Sequence, residues 1–307
     1  MKTRTFLLAA GFAATALSLP GPAAAKISIV TTTQDPAALA RAVGGDRVDV
    51  LALAKGFQDP HFLEAKPSYM VKLNHADLVI VVGLELEAGY LGAILAGGHN
   101  ERVMPGQAGF LDLGSSIQPL EVVSVADRSQ GDIHPSGNPH YWVDPENGRL
   151  MARAIASRLS AIDADGKSVY SANLAAFEKK LSEREVEWQK RMAPLSGQAI
   201  VTFHRSWPYF AKRYNLTVAD YIEPKPGIPP TPAHTLEVIQ TIQTRAIKII
   251  LMESFYDRRV ADFVAAKTGA KVVAIANSVG GDDGVDTYID LLDHITTALA
   301  KAFAGET

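Results

Sequence analysis

The stretch "KSVYSANLAAFEKKLSEREVEWQKRM", residues 167–192, decides the fold. It has no internal Pro or Gly, alternates charges densely, and keeps Leu174, Phe177, Leu181, Trp188 and Met192 on one helical stripe. A continuous helix of roughly 25 residues, rising 1.5 Å per residue, makes a rod of roughly 40 Å. Such a rod is too long for the crossover helix of a small α/β domain, and it lies in mid-chain. It reads as a rigid helix joining two lobes.

On its N-terminal side, short β-rich runs alternate with amphipathic stretches. "KISIVTT" (26–32) is followed by Asp35-Pro36, expected as an N-cap and first turn, and then by a helix ending on paired glycines. "RVDVLAL" (47–53) and "DLVIVVG" (77–83) read as strands, with "KPSYMVKLNHA" (66–76) as a helix between them. A helix is expected from Pro145 to Ile162. On the C-terminal side the alternation restarts, with strands at "QAIVTF" (198–203), "LTVADYI" (216–222), "IKIILME" (247–253) and "KVVAI" (271–275). The expectation is an α/β protein of two lobes, each a parallel sheet flanked by helices, joined by one long rigid helix. Its divisions are a leader over 1–25, a first lobe over 26–165, the linking helix over 166–193 and a second lobe over 194–307. No Gly/Ser-rich linker is present, so large hinge swings are not expected.

The leader reading rests on Lys2 and Arg4, an apolar run from Phe6 to Leu19, and Ala23-Ala24-Ala25, a small-x-small cleavage pattern. Pro20, Gly21 and Pro22 interrupt the run before it reaches the length of a membrane span. Removing the leader lowers the basic count from 30 to 28 against 33 acids, a mature charge of about −5. A mildly acidic exported protein is a poor partner for nucleic acid or anionic lipid. Cysteine is absent, which excludes disulfides, thiolate metal sites and an acylated lipobox. A soluble periplasmic monomer is expected, with no direct membrane insertion.

Phosphate-binding loops, dinucleotide fingerprints, nucleophile elbows and H-E-x-x-H are all missing. What stands out is the placement of three histidines. His61 follows the second strand, His140 the fourth strand position of the first lobe, and His204 the first strand of the second lobe. Ligands of open α/β sheets bind beyond the carboxyl ends of strands, so these three can converge between the lobes. Three neutral imidazoles suit Zn²⁺ and leave one position for a carboxylate or water. Each histidine alone is also readable as a solvated or hydrogen-bonded residue, and spacing leaves both readings standing. Phe62, Trp142, Trp207 and Tyr209 are expected as a hydrophobic shell around the three.

Together "DPHFLEAKPS" (59–68), "NPHYWVDP" (138–145) and "TFHRSWPYFAKRYNL" (202–216) resemble the metal-binding receptors of zinc and manganese ABC importers. The resemblance covers essentially the whole mature chain. It implies His61, His140 and His204 as metal ligands, a metal ion as cargo, an inner-membrane ABC permease as partner, and in some cases a metallochaperone. That family often adds a carboxylate at the end of the last strand, where this sequence has Asn277. Glu223, in "YIEPKPGIPPTP", is the expected replacement, with Asp282 and Asp283 as the nearby alternatives. The short segment "ADRSQGDIHPSGNPH" (126–140) keeps only Asp132 and His134 of the His-rich loop seen in zinc-favouring members, and His134 is expected to be a spectator. His75, His99, His234 and His294 are expected to be structural.

The nitrogen-rich set points to Zn²⁺ over Mn²⁺, which prefers oxygen and lies low in the Irving–Williams order. A rival reading is a zinc hydrolase in which His61 and Glu64 form H-x-x-E, His204 completes the site and Glu253 is the base. It leaves His140 without a role. A third is a receptor of similar build for a metal chelate or organic ligand.

Overall fold

In the computed structural model, residues 25–123, 131 and 134–305 are described. The leader sequence before residue 25 and Asp132 lie outside them. The first sheet contains β1 (Ile27–Thr31), β2 (Val48–Ala52), β3 (Leu78–Val81) and β4 (Phe110–Asp112), covered by α1 (Gln34–Gly44), α2 (Pro67–Asn74), α3 (Leu91–Gly98) and α4 (Pro145–Ile162). After α5 (Lys167–Met192) comes the second, with β5 (Ala199–Thr202), β6 (Thr217–Tyr221), β7 (Ile249–Glu253) and β8 (Lys271–Ile275). Its helices are α6 (Pro208–Arg213), α7 (Pro232–Arg245), α8 (Arg259–Thr268) and α9 (Tyr288–Ala304). Both sheets are wholly parallel and share one topology, in the orders β2-β1-β3-β4 and β6-β5-β7-β8. The chain switches direction beside β1 in one and beside β5 in the other, which is where crevices open in such folds.

The long helix buries Tyr170, Phe177, Leu181, Trp188 and Met192, with Leu174 partly buried. It packs on α1 and α4 of the first lobe and on α9 of the second. One apolar cluster therefore runs from Ile29 and Val43 through Trp188 to Ile200 and Leu251 without a break. On α9, Asp293 accepts from Trp188 Nε1 at 3.0 Å and from Arg191 Nη1 at 2.9 Å, and also pairs with Arg184. Emptying the fully buried Trp188 site would cost about 3–5 kcal/mol. A shared core of this kind couples the lobes more firmly than a linker could.

Two local expectations are corrected. Helix α1 begins at Gln34 with Thr33 in the N-cap position, and the Asp35 side chain caps nothing there. It is completely buried and reaches the second lobe, accepting from Ser278 Oγ at 2.7 Å and from Val279 N at 3.0 Å. Strand β4 is only three residues long and ends far before His140. The intervening chain carries Pro119, Pro135 and Pro139, which cannot donate to a ladder, so His140 approaches α4 on irregular backbone. The helix itself starts where its sequence indicates, with Pro145 in the first turn and Asp144 accepting from Glu146 N at 2.9 Å.

Candidate metal centre

Asp59-Pro60-His61 and Asn138-Pro139-His140 build the same device twice. In the first, Asp59 Oδ1 accepts from both the backbone N (3.0 Å) and ring Nδ1 (2.7 Å) of His61. In the second, Asn138 Oδ1 accepts from the backbone N (2.9 Å) and Nδ1 (3.0 Å) of His140. The intervening proline restricts its neighbour to extended backbone, so each side-chain oxygen curls back on the histidine two residues on. Asn138 Nδ2 donates to Glu121 Oε2 at 2.9 Å and to the Arg205 carbonyl at 2.7 Å, which fixes the amide orientation. His204 follows β5 and gives its Nδ1 to Glu223 Oε2 at 2.5 Å. Once Nδ1 carries the donated proton, Nε2 keeps the lone pair that ligates a metal.

The three rings converge between the lobes. His61, His140 and His204 each bring a nitrogen into a group whose members all lie within 4.8 Å of one another. Their ring centroids are 5.1 Å (His61–His140), 5.3 Å (His61–His204) and 5.2 Å (His140–His204) apart. His61 Nε2 is buried and has no hydrogen-bond partner. Burial, reinforced by the neighbouring imidazoles, holds the His140 pKa well below the ordinary histidine value. At His204 burial acts in the same sense, but the Glu223 hydrogen bond and the charge of Glu253 outweigh it and leave the pKa raised. Asp59 is pulled down despite its burial, because His61 bonds to it.

Trp142, Trp207 and Tyr209 are all buried; Trp142 lies 5.3 Å from the His140 ring, while the ring contact of Trp207 is with Phe210. Tyr209 Oη donates to the Asn138 carbonyl at 2.7 Å, and Trp142 Nε1 donates to the Asn277 carbonyl at 2.6 Å. Phe62 does not join them; it is 64% exposed. Tyr256 faces His204 and donates to Asp59 Oδ2 at 3.1 Å, tying the second lobe to the His61 support.

Glu223 stands behind His204 rather than within the nitrogen group, and its Oε1 accepts from Gly227 N at 2.8 Å. Asp282 accepts from Ala276 N at 2.7 Å and faces His294 Nε2 at 3.0 Å, while Asp283 is exposed. Asn277 is buried nearby. Glu64 points to solvent, 82% exposed, beside Lys66. Glu253, at the end of β7, is wholly buried near His204; neither oxygen makes a hydrogen bond of good geometry, although Ser206 faces it. His134, expected from the sequence to be a spectator, stands beside the cluster. The His134 ring lies 5.3 Å from His61 and 6.4 Å from His140, and burial lowers its pKa to about 3. The signal was present in H-P-S-G-N-P-H, whose prolines and glycine allow a tight return toward His140.

The family model described as zinc-uptake complex component A, periplasmic (ZnuA), matches residues 29–302. The chain belongs to this family. Among its curated relatives is the manganese ABC transporter substrate-binding lipoprotein ScaA of Streptococcus gordonii, 28% identical over 295 residues and 90% of each chain. A crystal structure of ZnuA superposes with a TM-score of 0.75 at 26% identity, over 90% of this chain and 98% of that one. A Mn-bound periplasmic metal-binding protein from Candidatus Liberibacter asiaticus shares the fold, with a TM-score of 0.75, 22% identity and coverage of 90% and 99%. The ZnuA-family protein is thus a metal-binding receptor of an ABC transporter and not an enzyme. The hydrolase reading falls with it, since the Glu64 it needs is turned to solvent. Among the described residues, no helix is long and apolar enough to cross a membrane.

Proposed function

We propose that the protein captures Zn²⁺ between its lobes with His61, His140 and His204 and delivers it to an inner-membrane ABC permease. The observation that carries this reading is the convergence of three buried imidazoles, each with Nδ1 held by an oxygen. Neutral nitrogen donors favour Zn²⁺ over Mn²⁺. Glu223 and Asp59 act from behind their histidines, orienting the rings and offsetting the charge of the ion. The protein is exported and works in the periplasm without an acyl anchor, a reading supported by the leader pattern and the absence of cysteine.

Calorimetry of the metal-free protein with Zn²⁺ and with Mn²⁺, run beside His140→Ala, tests the ligand set. One tight Zn²⁺ equivalent, weaker Mn²⁺ binding and a large loss in the variant are expected. Tighter Mn²⁺ binding, or indifference to His140→Ala, would refute it. The mass of the periplasmic form tests export: it should begin near Lys26 and carry no acyl group.

A further inference from the structure

We propose that His134 is the fourth nitrogen donor, so that four imidazoles enclose the cargo ion. The proposal rests on the reading of His61, His140 and His204 as ligands and deepens it. The His134 ring lies as far from His61, 5.3 Å, as the His204 ring does. Its Nε2 is buried and has no hydrogen-bond partner. The ring is hydrogen-bonded to the Glu85 backbone, which leaves Nδ1 as the nitrogen engaged there. His134 therefore repeats the pattern of the other three, with one ring nitrogen on an oxygen and the other open. Backbone carbonyls serve metal-ligating histidines in this way as readily as carboxylates do.

The chain is shaped to keep that ring in place. Gly137 N donates to the His134 carbonyl at 3.0 Å, closing a turn that brings His134 back over His140. Gly137 has φ +120°, and a Cβ there would meet Pro119 Cβ at 2.4 Å, so only glycine fits. Ser136 donates through N (3.2 Å) and Oγ (2.7 Å) to the two carboxylate oxygens of Glu85. Leu84 and Glu85 themselves hold left-handed backbone, φ 49° and 66°, presenting Glu85 to this loop. His134 stands outside the group of three nitrogens and must swing toward His140 as the rings close on an ion. Among the carboxylates near the cluster, Glu253 is wholly buried and without a hydrogen bond of good geometry, but it lies outside the nitrogen group and its charge acts on His204. Glu223 and Asp282 are engaged, Asp283 is exposed, and Asn277 is a weak neutral oxygen donor. A fourth nitrogen in place of oxygen also turns the site further from Mn²⁺.

The test is zinc K-edge X-ray absorption at one equivalent of Zn²⁺, with competition calorimetry, on the full-length protein, His134→Gln and His140→Ala. Four imidazoles are expected in the parent and three in His134→Gln. That variant should keep one site, lose at least about tenfold in Zn²⁺ affinity, and discriminate less against Mn²⁺. Three imidazoles in the parent, or a count and affinity unchanged by His134→Gln, would overturn the proposal and leave the three-histidine site standing. Absence of a tight site in the parent, or indifference to His140→Ala, would remove the underlying ligand reading and His134 with it.

Discussion

Asn138 Oδ1 takes both the backbone N–H and the ring Nδ1 of His140, at 2.9 and 3.0 Å, and thereby sets the tautomer and the direction of that imidazole. The same side chain holds the Arg205 carbonyl, next to His204 in the other lobe. Asn138→Ala should leave the fold intact and lower Zn²⁺ affinity about 10- to 100-fold, the usual effect of removing a hydrogen bond behind a ligand. Competition against a chelator of known affinity measures it. An unchanged affinity would mean that packing against Trp142 alone orients His140.

Glu223 occupies the corresponding place behind His204. A glutamine can still accept from Nδ1, whereas alanine cannot. Glu223→Gln should therefore retain most of the affinity that Glu223→Ala loses, and the exposed Asp283→Ala should change nothing. If glutamine proved as damaging as alanine, a carboxylate oxygen on the metal itself would explain it better than support of the ring.

The pH dependence of capture follows from His204. Its pKa is raised, so as pH falls through neutrality this ring takes up a proton before His140, which burial keeps neutral. Zn²⁺ must displace that proton, and affinity should fall about tenfold per pH unit for each proton displaced. Glu223→Gln, lacking the charge that raises the pKa, should move the decline to lower pH. Titrations from pH 7.5 to 5.5 with unchanged affinity would contradict ligation by His204.

Much of the architecture was legible because the periodicities are strong. The stripe on residues 167–192 and the β-α alternation on either side of it correspond to one 26-residue helix and two four-stranded sheets. The convergence of His61, His140 and His204 was foreshadowed by strand ends and by three short motifs, because Pro and aromatic neighbours constrain each histidine locally. What escaped depends on contacts distant in sequence. Asp35 looks like a helix cap until Ser278 and Val279 are brought to it across the lobes. His134 looks like an ordinary loop residue until the Gly137 turn and the Glu85 clasp bring it to His61. Glu223 has the chemistry of a ligand, and only the path of the chain after β6 shows its oxygen against Nδ1 of His204.

The Asp35 contact between lobes carries a prediction about stability. Burial outweighs its two hydrogen bonds and raises the carboxyl from 3.8 to about 7. The folded state therefore binds a proton more readily than the unfolded chain, and at pH 8 the buried ionised group is unfavourable by roughly 4 kcal/mol. As pH falls from 8 to 5 that penalty shrinks by about 2–3 kcal/mol, so this residue makes the protein more stable toward mild acid. In Asp35→Asn the amide reproduces the protonated acid, donating to Ser278 Oγ and accepting from Val279 N. The variant should exceed the parent in denaturant stability at pH 8, and the difference should narrow at pH 5. Equal stabilities at both pH values would show that water reaches Asp35 and that the lobes part there in solution.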